Sequence, residues 1–331
     1  MGSFIRTPLF LWTGLKHFTK SGYLASSKTF DDTCMNRKDS LREKTCLVTG
    51  ANQGLGFQIS VELASRGSTL YMCCRNEARG KAALEKVKEI SMNDDVHLIL
   101  CDVSSLKDVG SLVKEWKESK RPLHVLVNNA GVLIHHDDDD GKKTVSVDGY
   151  EINFATNTLG VYALTTGLAP VLKMSASEQD VSRVIMVSSG GALTAALEVD
   201  DLEGKNCKSR DGSVYYARDK RRQIALAEYF NEEWKNEHVM CCSMHPGWVE
   251  TEGVKSSIPG FYNAFKDKLR NLQQGADTAV WLCVAPQEDV EGGGFYLDRS
   301  PQKKHLTMGG TKYSKEELYK LVKRLNEFML M

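Results

Sequence analysis

The stretch "CLVTGANQGLG" (residues 46–56) places three glycines directly after an apolar run. Short apolar runs are typical of buried strands, and the residues from 54 onward have helical periodicity. Gly50 permits a tight turn, while Gly54 and Gly56 let backbone N–H groups and the helix N-terminus approach a pyrophosphate where a Cβ would clash. The stretch therefore predicts a strand–turn–helix unit that binds a dinucleotide. The other predicted cofactor contacts in this turn are Asn52, Gln53 and Leu55.

The spacing T-G-x-x-x-G-x-G is wider than the common G-x-G-x-x-G and lacks the Gly-Lys-Ser/Thr ending of nucleoside triphosphatases. Strand-like runs recur along the chain at 45–50, 68–74, 96–102, 123–129, 183–189, 239–245 and 294–298. Helical stretches alternate with them at 54–66, 77–90, 105–119, 150–174, 215–236 and 274–284. This alternation is typical of a parallel sheet covered on both faces. The sequence predicts an α/β fold with a doubly wound, mostly parallel, seven-stranded sheet, and a ligand site at the carboxyl ends of the strands.

Three segments are predicted along the chain. Residues 43–300 form one domain, because neither a repeat nor a long linker divides them. Residues 301–331 form a C-terminal tail in which a helix at 314–330 is expected to fold back onto the domain. Residues 1–42 form an N-terminal arm.

The N-terminal arm carries four basic residues and no acid before Asp31. Its apolar core is far shorter than the roughly 20 residues that span a bilayer. Three interpretations stay open: a helix packed on the domain, a mitochondrial transit peptide, and a membrane-surface helix within residues 1–25. The apolar residues predicted to share one face of that helix are Phe10, Leu11, Leu15 and Phe18.

Composition limits the classes of partner and compartment. The chain has 331 residues, and 43 basic residues balance 43 acidic ones, so long-range attraction to nucleic acid is not expected. Nine cysteines without a C-x-x-C pair indicate a reducing compartment. We predict an intracellular protein, with the cytoplasm favoured over mitochondrial or membrane association. The run "HHDDDDGKK" (135–143) is interpreted as a solvated acidic loop rather than a metal site, because adjacent residues of one loop rarely converge on an ion.

The end of the second predicted strand indicates which dinucleotide binds. A fold that prefers NAD places an acid about 20 residues after the glycine turn, against the ribose 2′-hydroxyl. Here the sequence is Cys74-Arg75-Asn76. A guanidinium suits the 2′-phosphate of NADP, so Arg75 is predicted to bind NADP(H) with help from Arg79. The alternative is that Arg75 is a solvated residue at the start of a helix and binds no cofactor.

The sequence "YARDK" (216–220) supplies a candidate reaction centre. Tyr216 and Lys220 lie one helical turn apart, and a neighbouring ammonium lowers the pKa of a phenol. Such a pair can exchange a proton with an alcohol or carbonyl oxygen while hydride moves to or from a nicotinamide. Two other Tyr-x-x-x-Lys sequences occur, but this one follows a buried strand that ends in hydroxyls, where Ser189 can bind the substrate oxygen. Asn157, inside the preceding helix, can hold a water or open a backbone carbonyl.

Seven motifs in order, "TGANQGLG", "CDV", "NNAG", "NTLG", "VSS", "YARDK" and "HPGWVET", resemble the short-chain dehydrogenase/reductase family over residues 45 to 255. The resemblance implies a single Rossmann domain and four catalytic residues. Asn157 would support a proton-relay water, Ser189 would polarise the carbonyl, and Tyr216 would give or take the proton. Lys220 would lower the pKa of Tyr216 and bind the nicotinamide ribose, and Ser188 is the alternative to Ser189.

The resemblance also implies the remaining cofactor contacts. Asp102 would meet the adenine, and a second group would meet the adenosine ribose and the nicotinamide end: Asn129, Ala130, Gly131, Pro246, Gly247 and Thr251. It further implies a homo-oligomer formed through the helices at 150–174 and 215–236. His245, beside this group, is interpreted as a packed histidine near the cofactor.

Several longer stretches narrow the resemblance to one member near the retinol-dehydrogenase-like branch, over nearly the full chain: "GLKHFTKSGY", "NTLGVYALTTGL", "VSSGG", "DGSVYYARDKRRQ" and "MHPGWVETEGV". Ser189 and Tyr216 are 27 positions apart, and the intervening stretch is expected to line the substrate pocket as a lid. We therefore predict an NADP(H)-dependent oxidoreductase that interconverts a carbonyl and an alcohol on an apolar small molecule, such as a steroid, retinoid or aliphatic aldehyde. The alternative is a catalytically silent NADP(H)-binding sensor or interaction module.

Overall fold

The computed structural model describes residues 2–136, 143–306 and 309–330, without the side chains of residues 2–7. The acidic residues 137–140 of the predicted loop lie outside the described residues. The strands are β1 (Thr45–Thr49), β2 (Thr69–Cys74), β3 (Val96–Leu100), β4 (Val125–Asn128), β5 (Ser182–Val187), β6 (Val239–Met244), β7 (Phe295–Leu297) and β8 (Ser300–Pro301). They form one sheet in the order β3-β2-β1-β4-β5-β6-β7-β8, parallel as far as β7. The order reverses between β1 and β4, which is where ligands bind in doubly wound sheets.

Helices cover both faces of this sheet. They are α1 (Gly2–His17), α2 (Lys20–Ser26), α3 (Gly54–Ala64), α4 (Glu77–Ser91), α5 (Leu106–Glu118), α6 (Ile152–Phe154), α7 (Gly160–Ser175), α8 (Gly212–Trp234), α9 (Glu252–Ser257), α10 (Pro259–Phe265), α11 (Leu272–Val284) and α12 (Lys315–Met329). One core lies under α5, α7, α8 and α12, and the other under α3, α4 and α11. The predicted α/β doubly wound architecture is confirmed.

The structure adds an eighth strand to the seven that the sequence predicted. β8 pairs antiparallel with β7 through a turn at Asp298 and Arg299, whose φ values are 51° and 57°. Left-handed residues suit a two-residue hairpin but are costly for side chains other than glycine. Here Asp298 forms a bidentate ion pair with Arg270, and Arg299 forms one with Asp277. The strand was missed because only two residues, Ser300 and Pro301, carry its pattern.

The C-terminal helix α12 packs against the main domain. Leu321 and Leu325 are fully buried in the core that also contains α7 and α8, and the Tyr162 hydroxyl of α7 donates to Asn326 Oδ1 at 2.7 Å. This helix therefore lies against the same two helices through which the resemblance implied a homo-oligomer. Assembly into an oligomer stays a prediction.

The N-terminal arm, α1 with α2, packs beside the carboxyl ends of the strands. The Phe18 ring lies 4.4 Å from the His245 ring, and Arg270 donates hydrogen bonds to the backbone carbonyls of His17 and Phe18. Of the four apolar residues predicted to share a face, Leu15 instead points outward beside Trp12, with exposed fractions of 42% and 64%. In the part of the chain that the structure describes, every helix is too short or too polar to cross a membrane.

Candidate active site

The glycine turn between β1 and α3 has the geometry of an anion site. Gly50 and Gly54 adopt φ values of 65° and 57°, which glycine tolerates best. Gln53 is the N-cap residue of α3, and its side chain makes no capping hydrogen bond. The N–H groups of the first helical turn, with the partial positive charge of the helix end, are therefore available to a pyrophosphate.

Gly56 has a packing role in addition to the predicted one, which stays a prediction. A Cβ at this position would lie 2.3 Å from the Gly50 carbonyl oxygen and 2.4 Å from Asn129 Nδ2. The residue therefore permits close packing of α3 against the glycine turn and the loop after β4. In contrast, a Cβ at Gly54 would meet only the Thr251 methyl group, at 3.9 Å, so this glycine faces open space.

A cavity of about 610 Å³ runs along the carboxyl ends of the strands from the glycine turn to α9. The predicted site residues that line it are Gly50, Asn52, Gln53, Gly54, Leu55, Gly56, Arg75, Asp102, Asn129, Ala130, Gly131, Ser188, Ser189, Tyr216, Lys220, Pro246, Gly247 and Thr251. Asn157 lies behind this wall. The structure thus brings together residues spread over some 200 positions of sequence.

Thr49, which was not predicted, fixes one wall of this cavity. Its hydroxyl oxygen accepts hydrogen bonds from the backbone N–H groups of Asn129 and Ala130, both at 3.0 Å. The Asn129 side chain returns a hydrogen bond to the Thr49 carbonyl at 2.9 Å. These bonds join the loop after β4 to the glycine turn across 80 positions of sequence. The position of Thr49 directly before the first glycine of the turn is the sequence signal that could have identified it.

Basic side chains cluster at the end of the cavity beside β2. Arg75 approaches the Asp102 carboxylate at 3.6 Å and is otherwise largely exposed. Asp102 is held by the backbone N–H and the hydroxyl of Ser104, at 2.9 and 2.7 Å. Arg79 and Lys86 line an adjoining cavity of about 370 Å³ with Asn52 and Gln53. Lys86 was missed, although its spacing of seven residues from Arg79 places both on one face of α4.

The two serines after β5 have different partners. The Ser188 hydroxyl is buried and donates to the backbone carbonyl of Lys220 at 2.7 Å. Ser189 is half-buried, accepts from the Gly191 N–H at 3.1 Å, and is hydrogen-bonded to the Tyr216 hydroxyl. Ser188 therefore holds the α8 backbone, and Ser189 is the serine that faces the phenol.

The electrostatics of Tyr216 are set mainly by burial. Burial raises the pKa of Tyr216 to about 12; the Ser189 hydrogen bond opposes this rise, and the Asp219 carboxylate adds to it. Lys220 Nζ lies 5.4 Å from the centre of the Tyr216 ring and donates to the Val187 carbonyl at 2.8 Å. Burial outweighs any stabilisation of the phenolate in this state, so the predicted lowering of the phenol pKa by Lys220 stays a prediction. The phenol keeps its proton at neutral pH, as a proton donor to a carbonyl oxygen requires.

Burial lowers the pKa of Lys220 to about 8, and the Asp219 carboxylate opposes that shift. Lys220 is therefore charged at neutral pH but titrates near it.

Asn157 sits in a π-helical segment, Ala155–Leu159, between α6 and α7. Its side chain pairs with the backbone of Val132, accepting from the N–H and donating to the carbonyl, both at 2.8 Å. The backbone carbonyl of Asn157 accepts from Gln223 Nε2 at 2.7 Å, so this group already has a partner. The support of a proton-relay water by Asn157 stays a prediction. Gln223 was not predicted, although it lies one turn beyond Lys220 on α8.

The far end of the cavity has an apolar wall. Val132, Leu133 and Ile134 line it from the loop after β4, and Val254 and Ile258 line it from α9. None of the residues 190–215 is among its walls, so the predicted lid over the substrate is wrong. Instead, the apolar side chains of this stretch turn into the core under α7 and α8: Leu197, Val199 and Leu202.

Arg222 explains that placement. Its guanidinium is buried, is ion-paired with Asp219 at 2.9 Å, and donates to the backbone carbonyls of Glu198 and Leu202 at 3.2 and 2.9 Å. The three consecutive basic residues at 220–222 are therefore all buried. His245 is also buried, and burial lowers its pKa to about 3. Its place beside Phe18 and Gly190 agrees with the predicted packed histidine.

Comparison with known proteins identifies the family. Residues 44–200 match the family model of short chain dehydrogenases. Dehydrogenase/reductase SDR family member 12 of Bos taurus is 40% identical over 317 residues, which are 95% of this chain and 94% of that protein. The chain belongs to the short-chain dehydrogenase family. It is an oxidoreductase of this family, and the predicted similarity to that member is confirmed.

More distant relatives agree with this placement. Human retinol dehydrogenase 11 is 29% identical over 257 residues, 77% of each chain, which supports the retinol-dehydrogenase-like branch. The solved structure of the Pseudomonas aeruginosa RhlG/NADP active-site complex superposes with a TM-score of 0.62. At 23% identity, covering 79% of this chain and 96% of that one, it shows the shared fold.

Proposed function

We propose that this protein is an NADP(H)-dependent oxidoreductase that interconverts a carbonyl and an alcohol on an apolar substrate, with Tyr216 as the general acid and base. One observation carries the proposal. Ser189, Tyr216 and Lys220 meet in one cavity, between a glycine turn suited to a pyrophosphate and an apolar wall.

The residues around the glycine turn fit NADP(H). The uncapped first turn of α3 offers N–H groups to the pyrophosphate, and the open side of Gly54 leaves room for it. Arg75, Arg79 and Lys86 surround the place where a 2′-phosphate would lie. The RhlG structure, which shares the fold, contains NADP. These features support NADP(H) over NAD(H), because the acid beside Arg75, Asp102, is already engaged by Arg75 and Ser104 rather than ready for a free 2′-hydroxyl.

Each catalytic side chain has one task in reduction. When bound, the nicotinamide supplies the hydride. The Ser189 hydroxyl holds the substrate oxygen next to the Tyr216 hydroxyl, and Tyr216 donates its proton to that oxygen. The Lys220 ammonium, close to the ring, stabilises the phenolate that remains. In oxidation the same groups act in reverse.

The substrate class follows from the apolar wall. Valine, leucine and isoleucine side chains from 132–134 and α9 would bury a hydrocarbon body and exclude water from the reacting oxygen. The similarity to a retinol dehydrogenase agrees with such a substrate. We propose a steroid, a retinoid or an aliphatic aldehyde.

The test is NADPH oxidation by the purified protein across aldehydes and ketones of these classes, with NADH in parallel. Tyr216→Phe is expected to abolish turnover while NADPH still binds. Tyr215→Phe is the matched control, because the Tyr215 hydroxyl donates to the Ser209 carbonyl at 3.1 Å and does not line the cavity. Equal activity of Tyr216→Phe and wild type would refute the mechanism. Tight NADPH binding without turnover on any carbonyl would instead favour the silent sensor.

We also propose that this protein contacts membranes through the arm. Trp12, Leu15 and Leu24 are exposed on α1 and α2, near the exposed Lys16 and Lys20. Apolar residues flanked by basic ones suit an anionic lipid surface. Flotation with anionic liposomes is expected to be lost in Trp12→Gln/Leu15→Gln, which keeps the inward contacts of the arm. Equal flotation of this variant and wild type would refute the contact.

A further inference from the structure

The side chain of Gln223 joins two parts of the catalytic centre. Its Nε2 donates to the backbone carbonyl of Asn157 at 2.7 Å, and its Oε1 accepts from Lys220 Nζ at 3.2 Å. The residue is completely buried. Both polar ends of the amide are therefore used, one on each of two groups that the proposed mechanism needs.

This arrangement accounts for the hydrogen bonds of Lys220. An ammonium has three N–H donors. One N–H donates to the Val187 carbonyl and one donates to Gln223 Oε1. The third N–H is left for Tyr216 or the cofactor. Two of the three bonds are fixed by β5 and α8, and the residue lines the cavity, where a Cβ at Gly131 would lie 3.2 Å from Nζ.

We propose that Gln223 is a positioning residue whose side-chain amide joins the Asn157 carbonyl to the Lys220 ammonium, and so fixes that ammonium toward Tyr216 and the cofactor. The inference rests on the proposed function, since it concerns the same site. It assigns a role to a residue outside the four catalytic positions. A carboxamide suits that role because it donates and accepts at once, as a water does.

The charge state of Lys220 provides a readout that packing alone would not change. The charged or titratable groups facing its ammonium are Tyr216 and Asp219, both on α8. The segments packed against it from β5, from the loop after β4 and from the π-helical segment contribute only uncharged groups, namely the Val187 carbonyl, Gly131 and Asn157. A hydrogen-bond acceptor favours the ammonium, and a carboxylate favours it more strongly.

Three variants of Gln223 are therefore expected to shift the pH dependence of NADPH affinity by different amounts, with Leu and Glu in opposite directions. Wild-type NADPH affinity should fall as the pH rises through about 8, where Lys220 loses its charge. Gln223→Leu removes the acceptor and should move that fall about one pH unit lower. Gln223→Glu places a carboxylate beside Nζ and should move it about one pH unit higher. Gln223→Ala makes room for a water, so its midpoint should lie between those of Leu and wild type.

The experiment measures NADPH affinity by fluorescence, and kcat where turnover is found, from pH 6 to 10. Thr165→Val is the control, because it removes a buried hydrogen bond from Asn128 Nδ2 at 2.9 Å, away from the cavity. It should lose thermal stability as Gln223→Leu does, yet keep the wild-type midpoint. The positioning role of Gln223 is established if the pH midpoint of NADPH affinity shifts downward in Gln223→Leu and upward in Gln223→Glu.

Midpoints that stay at the wild-type value, or shift in the same direction, in folded Leu and Glu variants overturn it. The proposed function fails separately, if wild type reduces none of the carbonyls. In that case the affinity profile still decides the role of Gln223, because binding needs no turnover.

Discussion

Arg270→Met is expected to destabilise the protein by detaching the N-terminal arm from the active-site loops. The Arg270 side chain is buried and pairs with both oxygens of Asp298, at 2.5 and 2.9 Å. It also donates to the carbonyls of His17 and Phe18 at 2.7 and 3.0 Å. Removing the guanidinium leaves a buried carboxylate in a left-handed turn without its partner.

Breaking a buried ion pair by removing one partner costs about 3–5 kcal/mol. The unfolding entropy of about 2.1 cal/mol/K per residue gives roughly 0.7 kcal/mol/K for this chain. The melting temperature should therefore fall by about 4–7 °C, measured by differential scanning calorimetry. The arm should also become sensitive to limited proteolysis.

Arg324→Met is the matched control. Arg324 pairs with Glu327 on the exposed face of α12, and such a pair contributes about 0–1 kcal/mol. Its melting temperature should change by no more than about 1 °C. If Arg270→Met behaves like this control, or if its arm stays protected from protease, the reasoning is wrong. In a double-mutant cycle, Asp298→Asn should cost less in the Arg270→Met background than in wild type.

Three further predictions concern the site and its surroundings. Gly56→Ala is expected to weaken NADPH binding at least about tenfold in a fluorescence titration, because the new Cβ would lie 2.3 Å from a backbone oxygen. The control is Gly110→Ala, which places a methyl group in open space on α5. That variant should bind NADPH normally and gain up to about 1 kcal/mol of stability. Arg75→Asp should lower NADPH affinity about tenfold or more and spare NADH, and equal loss of both would refute the 2′-phosphate role. His245 is buried neutral with its pKa lowered to about 3, so stability should fall as the pH drops below about 6.5, by up to about 1.4 kcal/mol per pH unit. His245→Leu should flatten that slope in thermal melts at pH 7, 6, 5 and 4, and an unchanged slope would show that other groups cause it.

The sequence alone determined the features that depend on near neighbours in the chain. The strand–turn–helix at 45–64 follows from one apolar run and the glycines after it. The pairing of Tyr216 with Lys220 follows from helical periodicity, and the arginine after β2 follows from its place at a strand end. Such patterns involve residues that are close in the sequence, so they can be recognised without knowledge of the tertiary contacts.

Only the tertiary structure decided which residues meet across the fold. The choice of Ser189 over Ser188 depends on Lys220, whose carbonyl takes the Ser188 hydroxyl from 32 positions away. The bridge from Gln223 to Asn157 spans 66 positions, and the bond from Arg270 to Phe18 spans 252. The stretch 190–215 looked like a lid, but the buried Arg222 draws its backbone toward the core instead. A buried polar group must find a partner wherever the fold supplies one, and sequence spacing does not show where that partner will be.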